Sequence, residues 1–342
     1  MGPRYFDRRR GLLGAWRLAG GRRFEHLWPF TCAWSAVETA AGLGGDIGSR
    51  AAAAADGLAR GLLAFLPPQA GERSEQADPR PDQACFESSV TPPLGPGGGV
   101  FYDDNAWVAL ALLARHRRLG DADGLALARR VVSCCCSGWS SEGGWSHAGG
   151  IRWKAEAANR SRNTCANGPS AEAAAMVHAR TGDRATLEWA LRIYEWTRRA
   201  LGDPDGLYLD RIMPDGWRVP DYWSYNQGTM VGAAVLLADA TGEARYLEEA
   251  RATAGAALAR FDVERLLSPN GPAFNAVFFR NLFLLDRRAA DSRITALAAA
   301  YGERTWAEGP VLAGPRARRV PLNDVAPLLQ LYALLAGAEP HP

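Results

Sequence analysis

Two consecutive aspartates, Asp103 and Asp104, stand at the head of a long apolar run, Ala106 to Arg118. The pair has two readings. Aspartate before a helix is an ordinary N-cap, and a doubled acid there answers the helix dipole. Two carboxyls at a helix start can also face one mouth together, whereas in a strand they would point to opposite sides. Like charges so close cannot both ionise easily, so one of them keeps its proton. A protonated carboxyl beside an ionised one is what cleavage of a glycosidic bond requires.

The elements that position this pair recur along the chain. Gly120-Asp121, Gly182-Asp183 and Gly242-Glu243 are each followed at the same offsets by Leu and Ala: Leu125 and Ala128, Leu187 and Ala190, Leu247 and Ala250. Glycine suits the position just past a helix end, and an acid suits the first turn of the next helix. Each motif therefore reads as the corner of a helical hairpin, repeating every sixty residues or so. Ahead of the corners lie Ala106 to Arg118, Ala171 to Arg180 and Gly228 to Ala240, apolar all round; amphipathic runs follow them. Apolar helices call for burial on every side and amphipathic ones for a single buried face. That alternation predicts an all-α (α/α)6 toroid, an inner ring of helices within an outer ring, as one domain over residues 1–342. Further hairpins fit around Cys32 to Leu66 and from Phe274 onward.

Aligning the corners puts Asn105, Asn167 and Gln227 in register, within Asp103-Asp104-Asn105, Cys165-Ala166-Asn167 and Tyr225-Asn226-Gln227. Asn167, Tyr225, Asn226 and Gln227 are accordingly expected to line one cavity with the aspartates, at the mouth opposite the corners. Amides and a phenol are the lining a polyhydroxylated ligand needs. The loops on that side are long. The one at 67–99 is expected to be mobile, its part from Pro67 to Pro81 being polar and without aromatics. The other two carry Trp139, Trp145, Trp153, Trp217 and Trp223, which either stack on sugar rings or plug the end of the ring.

Composition narrows the classes. The chain has 342 residues, 47% hydrophobic, with a formal net charge of +2, so charge favours no particular partner. Lys154 is the sole lysine, and the arginines form no stripe with interleaved aromatics, which argues against nucleic acid. Cys32, Cys85, Cys134, Cys135, Cys136 and Cys165 have neither zinc-site nor disulfide-framework spacing and read as reduced, partly buried thiols. No metal or cofactor is expected. The apolar run after Arg8-Arg9-Arg10 ends at Arg17, too soon for a leader, and no stretch could span a bilayer. A soluble, cytoplasmic protein is expected, or a secreted one if the gene start is misassigned. His26, His116, His147, His178 and His341 are scattered; only His147 falls on a mouth loop.

Four blocks resemble glycoside hydrolase family 76, the bacterial endo-α-1,6-mannanases. Phe101-Tyr102-Asp103-Asp104-Asn105-Ala106-Trp107 is similar to the family's catalytic segment. Gly149-Gly150-Ile151-Arg152-Trp153-Lys154 resembles its Gly-Gly-Ile-Trp-Trp loop, and Asn163-Thr164-Cys165-Ala166-Asn167 its Asn-Ala-Ile-Ala-Asn helix start. Trp223-Ser224-Tyr225-Asn226-Gln227-Gly228 resembles its Trp-Thr-Tyr-Asn-Gln-Gly. The likeness runs roughly from Val100 to Arg280 and implies an (α/α)6 fold. It implies retaining cleavage of α-1,6-mannosidic links, with Asp103 as nucleophile and Asp104 as general acid and base. Tyr102, Asn105, Trp153, Asn163, Asn167, Asp210, Tyr225, Asn226, Gln227 and Arg280 would then surround a glycan containing α-mannose. Arg152 and Val108 replace family tryptophans, and Gly168-Pro169 stands where Asn-Glu is usual. The lack of a leader is a further departure, mannan being extracellular. Glycosyl transfer by the same site, a sugar epimerase relying on His147, and a binding protein without catalysis are the alternatives.

Overall fold

The computed structural model describes residues 6–15, 24–67, 83–141, 147–267, 271–308 and 322–337. Six helices form the inner ring: α1 (Leu27–Ala41), α3 (Tyr102–Leu119), α5 (Thr164–Thr181), α7 (Ser224–Thr241), α10 (Pro272–Asp286) and α12 (Leu322–Leu335). Each packs on the next, and α12 closes against α1. Outside them lie α2 (Gly45–Gly61), α4 (Ala122–Ser137), α6 (Arg184–Leu201), α8 (Ala244–Arg260) and α11 (Ser292–Glu308). The short α9 (Val263–Leu267) precedes α10. This is the (α/α)6 toroid, with five outer helices among the described residues.

The two rings follow from their sequences. Every residue of α7 from Ser224 to Leu237 is buried, whereas α6 buries only Ala190, Ile193, Tyr194, Trp196, Thr197, Ala200 and Leu201, one stripe at helical spacing. Small residues let the inner helices close up. A Cβ on Gly228 would lie 2.7 Å from the backbone of Phe278, and one on Gly168 would lie 2.4 Å from Thr229 Oγ1. The Gly168-Pro169 step therefore does not break α5; it fits α5 against α7.

The corners are as expected. Gly120, Gly182 and Gly242 adopt φ of 68°, 69° and 74°, each donating its N–H back to the helix it ends. Asp121 and Asp183 then cap the next helix, accepting from Gly124 N and Ala185 N. His116 and His178 are consumed here, each Nδ1 lying 2.9 Å from the carbonyl oxygen of the capping aspartate. At the opposite end, β3 (Arg162–Asn163), β4 (Arg211–Ile212) and β5 (Arg218–Val219) form a small antiparallel sheet over the ring. The N-terminal β1 (Phe6–Asp7) and β2 (Leu12–Leu13) make a separate hairpin.

Two expectations change. Cys85 and Cys134 form a disulfide, while Cys32, Cys135, Cys136 and Cys165 are free thiols. The pairing joins a loop to α4 over a separation of 49 residues, which spacing alone could not reveal. Of the loop expected to be mobile, residues 68–82 lie outside the described residues, whereas residues 83–99 are well held. Phe86 is fully buried there, Glu87 N donates to Phe65 O, and Ser88 N donates to Gly99 O. Trp145 also lies outside the described residues.

Candidate active site

The fourth residue of an inner helix has the same task in three repeats. A helical side chain leans toward the N-terminus, so a polar one there can reach the carbonyl four residues back and the loop above. Asn105 Nδ2 donates to Phe101 O and Phe86 O, while its Oδ1 accepts from Phe86 N at 2.7 Å. Asn167 holds Ile151 identically, with Oδ1 accepting from Ile151 N at 2.8 Å and Nδ2 donating to Ile151 O and Asn163 O. Gln227 clasps Tyr208 N and O and bonds Trp223 O. Asn275, fourth in α10, donates to Leu266 O and accepts from Ser224 Oγ. The register read from sequence is thus real, but its amides are spent on backbone. Asn105, Asn167 and Gln227 are fully buried clamps beneath the mouth, not ligands lining it.

The clamped loops deliver the site. Asn167 fixes Ile151, and two residues on Trp153 Nε1 donates to Asp103 Oδ2 at 2.9 Å. Cys165 Sγ, from the first turn of α5, donates to the same oxygen at 3.5 Å. Asp103 Oδ1 is buried without a hydrogen-bond partner. Burial pushes the Asp103 carboxyl up to about 6, against the pull of Trp153, the Asp104 amide and Cys165. Burial and then the charge of Asp103 drive Asp104 well above the usual carboxylate range. Cys165 and Tyr225, which hydrogen-bond to each other, are both raised well above their ordinary values by burial and remain protonated donors.

Asp103, Trp153, Asn163, Asp210 and Tyr225 meet in one cleft of about 720 Å³. Asp210 is brought there by β4, where Arg211 pairs with it; burial still raises its carboxyl despite that charge. The remaining expected residues lie elsewhere. Tyr102 is buried, its ring tight against Gly138. Asn226 is buried with neither amide atom bonded. Arg280 pairs with Glu172 at 2.5 Å inside the ring and borders a separate pit of about 20 Å³ with Trp28, Cys32 and Trp107. Asp104 lies close enough to Cys32 for its charge to raise that thiol.

Sequence reasoning missed Cys165, Arg211, Met213 and Phe274, which also line the cleft. Cys165 carried a signal, because it falls in the helix-start block beside Asn167. Among the aromatics, Trp223 lines the cleft, whereas Trp139 packs edge-on against Trp189 and Trp196 as a plug. His147 accepts at its carbonyl from Trp196 Nε1.

Known proteins share this fold. The mannan endo-1,6-alpha-mannosidases of Candida glabrata and Saccharomyces cerevisiae are each 28% identical to the chain, over 167 and 157 residues. Those stretches are 44% and 41% of this chain, and the chain spans only 36% and 34% of the two relatives' length. A family 76 mannosidase of Bacteroides thetaiotaomicron superposes with a TM-score of 0.80 at 22% identity, covering 98% of this chain and 94% of that one. An α-1,6-mannanase of Salegentibacter sp. gives 0.72 at 24% identity over 97% and 95%. An inactive variant of the latter, with two consecutive aspartates changed to asparagine, is known with α-1,6-mannotriose; it gives 0.70 at 22% identity over 97% and 95%. The model of the family described as Glycosyl hydrolase family 76 matches residues 92–282, more than half of the chain, and the chain belongs to that family.

Proposed function

We propose that the protein cleaves α-1,6-mannosidic links with retention of configuration, using Asp103 as nucleophile and Asp104 as general acid and base. The carrying observation is the unequal treatment of two adjacent buried carboxyls. Asp103 has one oxygen held by Trp153 and Cys165 and the other bare in the interior. Asp104, raised by burial and by the charge of Asp103, keeps the proton for the departing oxygen. Carboxyls on consecutive residues are tethered near the separation of about 5–5.5 Å that retaining enzymes use, and strain to reach the 6.5–9.5 Å of inverting ones. In the first step Asp103 bonds to the anomeric carbon as Asp104 protonates the leaving sugar oxygen. In the second, Asp104 takes a proton from water, which displaces Asp103. The mannan-directed relatives and the paired-aspartate variant support the substrate and the pair. Transfer to another sugar needs only an acceptor hydroxyl in place of water.

The test is turnover of α-1,6-mannobiose and longer oligomers, with the first-formed anomer read by proton NMR. Release of α-mannose first is expected, together with loss of several orders of magnitude in rate for Asp103→Asn and Asp104→Asn with unchanged circular dichroism. Release of the β-anomer first would exclude the scheme and point to Asp210 as the partner.

A further inference from the structure

The hairpin of β4 and β5 carries an aromatic that the cleft does not yet account for. Ile212 is fully buried, facing Trp196, Leu201 and Leu209, so the neighbours on its strand face the other way. Arg211 and Met213 do so, and both line the cleft. The register pairs Arg211 with Val219 and Ile212 with Arg218, and Met213 N continues the ladder by donating to Trp217 O at 2.8 Å. Residues directly opposite in an antiparallel pair share a face, their Cβ atoms about 4.5–5.5 Å apart. The Trp217 side chain therefore stands beside Met213 on the cleft face, one strand further out, and is 61% exposed.

The turn that holds it is tied down. Gly216 takes φ of 86° and donates to Met213 O, while Trp217 N donates to Asp215 Oδ1. An indole on such a turn, exposed above a polar cleft, offers an apolar face to the C–H side of a pyranose.

We infer that Trp217 is an outer sugar subsite, a platform for a mannosyl unit of the same glycan beyond those at the carboxyls. The inference rests on the α-mannan reading above and sets chain-length preference for that site. Outer contacts are made equally in the ground and transition states when the cut lies elsewhere, so their loss appears in KM.

The experiment compares parent, Trp217→Ala and Trp217→Phe on α-1,6-mannobiose, mannotetraose and mannohexaose. The parent is expected to prefer the longer oligomers. Trp217→Ala keeps its activity on mannobiose and loses about tenfold in kcat/KM on mannohexaose, through KM with kcat held. Trp217→Phe restores most of that loss because a ring is retained. Trp217→Ala showing the parent's dependence on length would overturn the platform while leaving the proposed function standing. A parent that turns over no mannoside of any length would instead overturn the proposed function, and with it the ligand named here.

Discussion

Asp103 and Asp104 differ in what reaches their oxygens, and that difference should be visible in a pH profile. The value of kcat/KM should rise with pH through about 6 as Asp103 loses its proton, then fall at higher pH as Asp104 loses its own. Cys165 shapes the first limb, because a neutral thiol donating to the ionised form favours that form. Cys165→Ala should move the acid limb up by about half a unit to one unit, and Cys165→Ser should return it. An unmoved limb in the alanine variant would reduce Cys165 to packing. The placement of one aspartate beside another at a helix start was legible in the sequence because the two are neighbours in one turn. The thiol's role was not, because it depends on how α5 packs beside α3.

Among the helices, the amide clamps explain how an Ala-rich ring holds a catalytic surface built of loops. The corner glycines and the inner–outer alternation were legible because both are local: φ at Gly120, Gly182 and Gly242, and burial pattern along each helix. The register of Asn105, Asn167 and Gln227 was legible too. Their target was not, since nothing in the sequence says that Phe86, Ile151 and Tyr208 return over those helix starts. Asn167→Ala tests the clamp. It leaves the N–H and C=O of fully buried Ile151 without their side-chain partner, at about 1–3 kcal/mol for each group. A loss of about 2–4 kcal/mol in urea unfolding is expected. Turnover should also drop, because Trp153 hangs from the same loop. Full stability in the variant would mean that the clamp is ornamental.

For the molecule as a whole, the disulfide and the carboxyl pair act in opposite senses. Cys85–Cys134 ties the well-held loop to α4 and stabilises the fold by restricting the unfolded chain. Asp103 and Asp104 instead burden the fold. Their native pKa values lie above the unfolded ones, so the native state binds protons that the unfolded chain has released. The pair's contribution to stability is then most favourable at acid pH and falls as pH rises from about 4 through about 6, remaining reduced at neutrality. For Asp103 alone the rise from 3.8 to about 6 corresponds to a cost on the order of 3 kcal/mol near pH 7. Asp103→Asn removes the titrating group, while its amide oxygen can still accept from Trp153. The variant should therefore be more stable than the parent near pH 7 by roughly that amount, with the advantage vanishing toward pH 4. Urea unfolding at both values decides it. An advantage equal at the two, or a variant weaker at neutrality, would show that the buried carboxylate costs the fold nothing. A pH-dependent gain would mean that this helix start is maintained for chemistry at the expense of stability.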